Sequence, residues 1–376
     1  MRQIPPVDLG RQYATIAEEA NAAVLDVLRS GRYIGGTSVT DFEAHFAQYH
    51  QVEYAAGCNS GTDALYLALK ALGIGPGDEV ITSTFTFIAT AEAVCMCGAT
   101  PIFVDITAAT FNLDLDQVEA AITPRTRAII PVHLFGQPVD MTRLGDIAKR
   151  HNLLIVEDCA QATGAKWGDR RVGAIGDAGC FSFFPTKNLG GCGDGGAVTT
   201  NDPSLCEQVK MLREHGSKIR YQHDVMGVNS RLDALQAVIL TVKLRHLDHW
   251  NQQRQAIAQR YDELLADLPG IQLPQAIPGG THVWNQYTLL VQGVERDQLR
   301  QELQNQGITT MVYYPKPLHL QPVFTELGYR SGQFPIAEQC SHQVLSLPMF
   351  PDLTVPEQEQ VVQSLGNLLK AAAWPQ

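Results

Sequence analysis

The chain has 376 residues, 45% hydrophobic and 18% charged, the balance of a folded globular protein rather than a disordered one. Its formal net charge of −11 argues against a nucleic-acid partner, because phosphate backbones are held by basic surfaces. No run approaches the ~20 apolar residues of a membrane span, and the opening MRQIPPVDLGRQY lacks a signal-peptide core, so no membrane association and a cytoplasmic location are expected.

The length favours two domains. After an irregular start, residues 16–28 and 39–49 carry helical apolar spacing, separated by the glycine-rich turn SGRYIGG. A strand–helix rhythm follows. Strands are expected at 54–58, 79–83, 101–105, 127–133 and 153–158, and helices at 63–72, 87–96, 116–122 and 141–151. The run 153–158 is continuously apolar until it ends in Glu157-Asp158, the pattern of a buried parallel strand with acids at its tip. A further strand at 179–184 and another at 197–200 flank FSFFPTKNLGGCGDGG. Asp202-Pro203 opens a helix to about 215, residues 216–227 form a polar loop, and helical pattern runs from 229 to about 247 and continues through 250–268, an unbroken length that often connects two domains. Prolines and glycines in 269–280 mark a boundary, giving domains 1–268 and 269–376. The second part alternates strands at 284–291, 309–313 and 343–347 with helices at 296–306, 337–340 and 355–372. The fold class is α/β, a mostly parallel sheet covered on both faces plus a smaller C-terminal α/β domain.

Ligand sites in such sheets lie beyond the carboxyl ends of the strands. Asp158 and Lys187 both leave strand ends there. Lys187 follows a buried aromatic run, where an idle ammonium is expensive and burial lowers its pKa toward the reactive neutral amine. An amine opposite a carboxylate suits pyridoxal phosphate, the lysine joined to its aldehyde and Asp158 holding the ring nitrogen protonated. Gln161 is placed one turn beyond Asp158, on a helix from Ala160 that Asp158 would cap, within reach of the ring hydroxyl. Ser60-Gly61-Thr62 precedes a helix whose N-terminal amides suit a phosphate, with Ser182 as a second hydroxyl and Phe87 able to stack on a flat ring. Gly191-x-Gly193-x-x-Gly196 mimics a dinucleotide fingerprint, but a strand follows it rather than a helix. The eight cysteines form no C-x-x-C pair, and no metal site is expected.

SGTDAL, TFTFIATAEAV, VEDCAQATGA, FSFFPTKNLGGCGDGG and GVNSRLDALQA, in this order, resemble the DegT/DnrJ/EryC1/StrS family of pyridoxal phosphate-dependent sugar aminotransferases over nearly the whole chain. The resemblance implies the aspartate-aminotransferase fold (fold type I) and a homodimer with shared active sites. By position it implies Lys187 and Asp158 as catalytic, and Gly61, Thr62, Phe87, Gln161, Ser182 and, from the other subunit, Asn229 as further cofactor contacts. It places Arg231, Tyr313, Tyr314 and His319 toward a nucleotide-linked keto sugar, with L-glutamate as amino donor. The GDGG and GVNSRLD runs look more like members that aminate a 3-keto sugar. A 4-keto sugar enzyme and a non-catalytic regulatory member are the alternatives, and an intact Lys187, Asp158 and Ser182 weigh against the regulatory one.

Overall fold

The computed structural model describes residues 3–371. Its main sheet has seven strands: β1 (Tyr54–Cys58), β2 (Glu79–Ser83), β3 (Thr100–Val104), β4 (Thr126–Ile130), β5 (Leu154–Asp158), β6 (Ala178–Ser182) and β7 (Gly196–Thr200). They lie in the order β1-β7-β6-β5-β4-β2-β3. Strands β2 to β6 run parallel, whereas β7 is antiparallel to both its neighbours. Side chains alternate between faces, so on β4 Ala128 and Ile130 join one core and Ile129 the other. Two helices, α1 (Leu9–Ser30) and α2 (Thr37–His50), precede the sheet; its first core is closed by α3 (Gly61–Ala71), through Ala64, Leu67 and Ala68, and the second by a helix at Met141–His151, through Leu144 and Ile147.

A second, three-stranded antiparallel sheet lies beyond it, with Tyr287–Val291 between Ile271–Gln272 and Val344–Leu347. One 32-residue helix, α4 (Ala234–Leu265), serves both sheets. Its Leu240, Leu244 and Leu247 pack with Phe42, Phe46, Phe181 and Phe183, and its Ile257, Tyr261 and Leu265 pack with Leu289 and Leu345.

Several expectations are corrected. The unbroken helix expected from 229 through 268 is this one, but it starts later, at Ala234, because Asn229 pairs with Glu214 as a β-bridge, and it ends at Leu265. The strand at 127–133 stops at Ile130, because Pro131 has no N–H for the ladder. The stretch 116–122 is a short helix, Leu115–Val118, followed by one 3₁₀ turn. No strand forms over 309–313: Met311 alone bridges Ser346, just before a segment that contains Pro315 and Pro317. The loop 216–227 holds a small hairpin, Ser217–Ile219 with Gln222–His223. The last helix is Val355–Ala371; residue 372 lies outside the described part.

Candidate active site

Parallel pairing brings the carboxyl ends of β4, β5 and β6 together. Asp158 sits opposite Cys180 on β6, and Val132, just past β4, bridges it from the other side. A cavity of about 580 Å³ opens there. Asp158 and Lys187 line it, with Gly61, Thr62 and Ser182 along one wall and Phe87, Gln161, Tyr313 and Tyr314 around the rest.

Asp158 is buried, and its oxygens accept from Thr90 Oγ1 at 2.8 Å and from the Ala160 amide at 3.1 Å. Burial pushes its carboxyl above the ordinary value, and these two hydrogen bonds with the Lys187 charge oppose that only in part. Its neighbour Glu157 points to the opposite face, as alternation requires. Glu157 accepts from His133 Nε2 at 3.0 Å and from the amides of Gly173, Ile175 and Gly176 at 2.9, 2.8 and 2.7 Å. Burial raises its carboxyl too, but those donors outweigh burial and leave it below the usual range. With Cys159, Glu157 and His133 form a buried cluster of metal-ligand type. Both His133 nitrogens are engaged, Nδ1 accepting from the Val139 amide at 3.0 Å, so the cluster works as a fastening behind β5.

Lys187 is half-buried, and desolvation lowers its amine to about 8 while the Asp158 carboxylate pulls the other way. Its amide donates to the Phe184 carbonyl at 2.9 Å, closing the turn that turns the lysine into the cavity. Ser60 caps α3, its Oγ accepting from the Asp63 amide at 3.1 Å, which leaves the first N–H groups of the helix and the Thr62 hydroxyl to face the cavity. Gly61 is required there, since a Cβ would lie 2.6 Å from the Ser182 Cβ. Phe87 is 57% exposed, a flat face presented to the cavity.

No helix follows Asp158; residues 159–164 are turns. Gln161 is instead held by its own amide, Oε1 accepting from the Phe135 N–H at 2.6 Å and Nε2 donating to the Tyr314 hydroxyl at 3.0 Å. His319 does not face the cavity. It is 2% exposed, its Nδ1 lies 2.8 Å from Thr84 Oγ1 and its Nε2 3.0 Å from Glu338 Oε1, so both nitrogens are used in the wall. Asn229 is exposed and Arg231 pairs with Glu214, at 3.5 Å; neither lines the cavity of its own chain. Thr90 was not legible in advance, being one threonine in an apolar helix.

The fold and the pairing of an amine with a carboxylate at the strand ends define an aminotransferase of the pyridoxal phosphate type. The donor set suits that cofactor: a buried carboxylate held above its ordinary pKa, an amine across the cavity, and a helix N-terminus for an anion. The chain belongs to the DegT/DnrJ/EryC1/StrS aminotransferase family, whose model matches residues 14–366, and its cofactor is pyridoxal 5′-phosphate. It is 50% identical to a protein of Geobacillus stearothermophilus named "Pleiotropic regulatory protein", over 98% of this chain and 99% of that one. It is 48% identical to the dTDP-3-amino-3,4,6-trideoxy-alpha-D-glucose transaminase of Streptomyces venezuelae, over 96% of this chain and 95% of that one. Among solved structures it matches S. venezuelae DesV in complex with a ketimine intermediate, with a TM-score of 0.95 and 46% identity over all of both chains. Among the described residues no helix is long and apolar enough to cross a membrane.

Proposed function

We propose that the protein moves an amino group from an amino acid, of the L-glutamate kind, to carbon 3 of a nucleotide-linked keto sugar. The observation that carries this is the Lys187 amine, lowered to about 8, facing the same cavity as the Asp158 carboxylate. The name of the S. venezuelae relative, a 3-amino-sugar transaminase, supports the position on the sugar. When bound, pyridoxal phosphate supplies the aldehyde and the electron-withdrawing ring. In this reading Lys187 takes and returns the proton at the reacting carbon, and an amine near 8 is poised for both directions at neutral pH. Asp158 holds the ring-nitrogen proton, with Thr90 fixing its carboxylate. Gln161 contacts the ring oxygen, Gly61, Thr62 and Ser182 take the phosphate, and Phe87 stacks on the ring. Tyr313 and Tyr314 line the sugar side.

Asn229 and Arg231 enter this reading from a second copy of the chain, a homodimer completing each cavity. Their absence from the lining of their own cavity supports it, as do the exposed apolar groups Phe184 at 51%, Ile219 at 64%, Tyr221 at 82% and Met226 at 90%. The protein is tested by its visible spectrum. Added L-glutamate is expected to convert the bound cofactor to its amine form, and 3-amino nucleotide sugars to do the same where 4-amino isomers do not. A protein whose spectrum ignores every amino donor refutes the reading, and a response to the 4-amino isomers alone moves the reaction to carbon 4.

A further inference from the structure

Three polar residues interrupt the buried stripe of α4, and each is spent on loops around the cavity. Lys243 Nζ donates to the Gly190 carbonyl at 2.7 Å. The Arg254 guanidinium, 3% exposed, donates to the carbonyls of Trp284 and Met349, both at 3.1 Å. Asn251, 5% exposed, lies between them and touches both halves of the site. Its Nδ2 donates to the Thr163 carbonyl at 3.1 Å, in the turn that carries Gln161 away from Asp158. Its Oδ1 accepts from Asn188 Nδ2 at 2.7 Å, and Asn188 is the residue after Lys187. Asn188 is 2% exposed and its Nδ2 also donates to the Val283 carbonyl at 2.9 Å. On the other flank of the lysine, Asn285 Nδ2 donates to the Thr186 carbonyl at 3.3 Å. Residue 164 is a glycine at φ +94°, where a Cβ would lie 2.5 Å from Asn251 Nδ2, so the turn is shaped around this amide.

We infer that Asn251 is a positioning residue of the reaction, acting through Asn188 to set the Lys187 turn against the Asp158–Gln161 turn. The inference rests on the reading of Lys187 given above. One rigid helix fixes the spacing between the group that moves the proton and the groups that hold the far side of the ring. A side-chain pair with no contact to substrate thereby controls the reacting distance. Rate is steep in that distance: a misplacement of about 1 Å costs on the order of 100-fold.

The test uses Asn251→Ala, the shape-matched Asn251→Leu, Asn188→Ala and the double variant Asn188→Ala/Asn251→Ala, each loaded with pyridoxal phosphate. Each single variant is expected to lose roughly 10- to 100-fold in kcat with KM for the amino donor within about threefold. The double variant is expected to be no slower than Asn188→Ala alone, because the two act in series. The pH midpoint of the visible band, and the rate at which cofactor-free protein acquires that band, are expected to change in both Asn251 variants. Either Asn251 variant with kcat within twofold of wild type and an unmoved midpoint overturns the inference. So do multiplicative losses in the double variant, and so does loss of the cooperative melting transition in both Asn251 variants, which would make the amide a requirement of the fold alone. Lys187→Ala, run in parallel, is expected to retain no cofactor after borohydride reduction. Retention there refutes the reading of Lys187 itself, and the inference with it.

Discussion

Replacing Lys187 with methionine removes a charge while keeping an unbranched side chain of similar length, and in cofactor-free protein it should stabilise the fold. Burial lowers the amine from 10.5 to about 8. A lysine whose folded pKa lies below its unfolded one penalises folding wherever the ammonium must be kept. The penalty is complete below about 8, shrinks as pH rises from 8 toward 10.5, and vanishes above that. A separation of about 2.5 pH units at about 1.4 kcal/mol each sets an upper bound of about 3.5 kcal/mol. Lys187 is only half-buried, and its removal leaves Asp158 without a cation nearby, so about 2 kcal/mol is the working figure. With an unfolding entropy of about 2 cal/mol/K per residue, that is a rise in Tm of about 2–3 °C for a chain of this length. The assay is calorimetry of both cofactor-free proteins from pH 6.5 to 10.5. The variant should melt higher at pH 7, and the two curves should converge near pH 10.5. A variant no more stable at pH 7, or a gap that persists at pH 10.5, would refute the argument that desolvation tunes this amine.

Thr90→Val removes the donor at 2.8 Å from Asp158 while keeping the shape; a hydrogen bond to a charged group is worth about 1.5–3 kcal/mol, so kcat should fall about 10- to 100-fold, measured by single-turnover kinetics with L-glutamate. Gly61→Val should weaken cofactor binding at least tenfold in equilibrium titration, since its Cβ would lie 2.6 Å from the Ser182 Cβ, between the helix N-terminus and the strand. His319→Ala should cost about 2–3 kcal/mol of stability in urea unfolding, because it empties a buried ring site and removes the ring's hydrogen bonds to Thr84 and Glu338, and should leave KM for the sugar within about twofold.

Much of the main sheet was legible because parallel strands buried on both faces read as apolar runs, and because glycine and proline punctuate them. Lys187 and Asp158 were legible for a related reason: a charged group directly after such a run needs an explanation. What failed was local. The Asp158 side chain does accept from the Ala160 amide, the bond of a helix cap, yet turns follow it, because Gln161 is bonded to Phe135 and Tyr314 instead. His319 was placed toward the sugar by resemblance alone, and only the packed structure shows its nitrogens taken by residues 235 positions earlier and 19 later. Thr90 carries no pattern at all. Asn251 did leave a signal: with Lys243 and Arg254 it falls at core positions of an otherwise apolar helical stripe, and polar residues there must be hydrogen-bonded to something.

The continuity of α4 also limits how this chain can change in length. Each residue of a helix advances about 1.5 Å and turns about 100°. Deleting one residue between Lys243 and Asn251 would swing the asparagine and Arg254 to another side of the helix while Lys243 stayed on the Gly190 carbonyl. No single compensating rotation restores all three. Insertions and deletions are therefore forbidden along the helix, which acts as a ruler between two sets of loops.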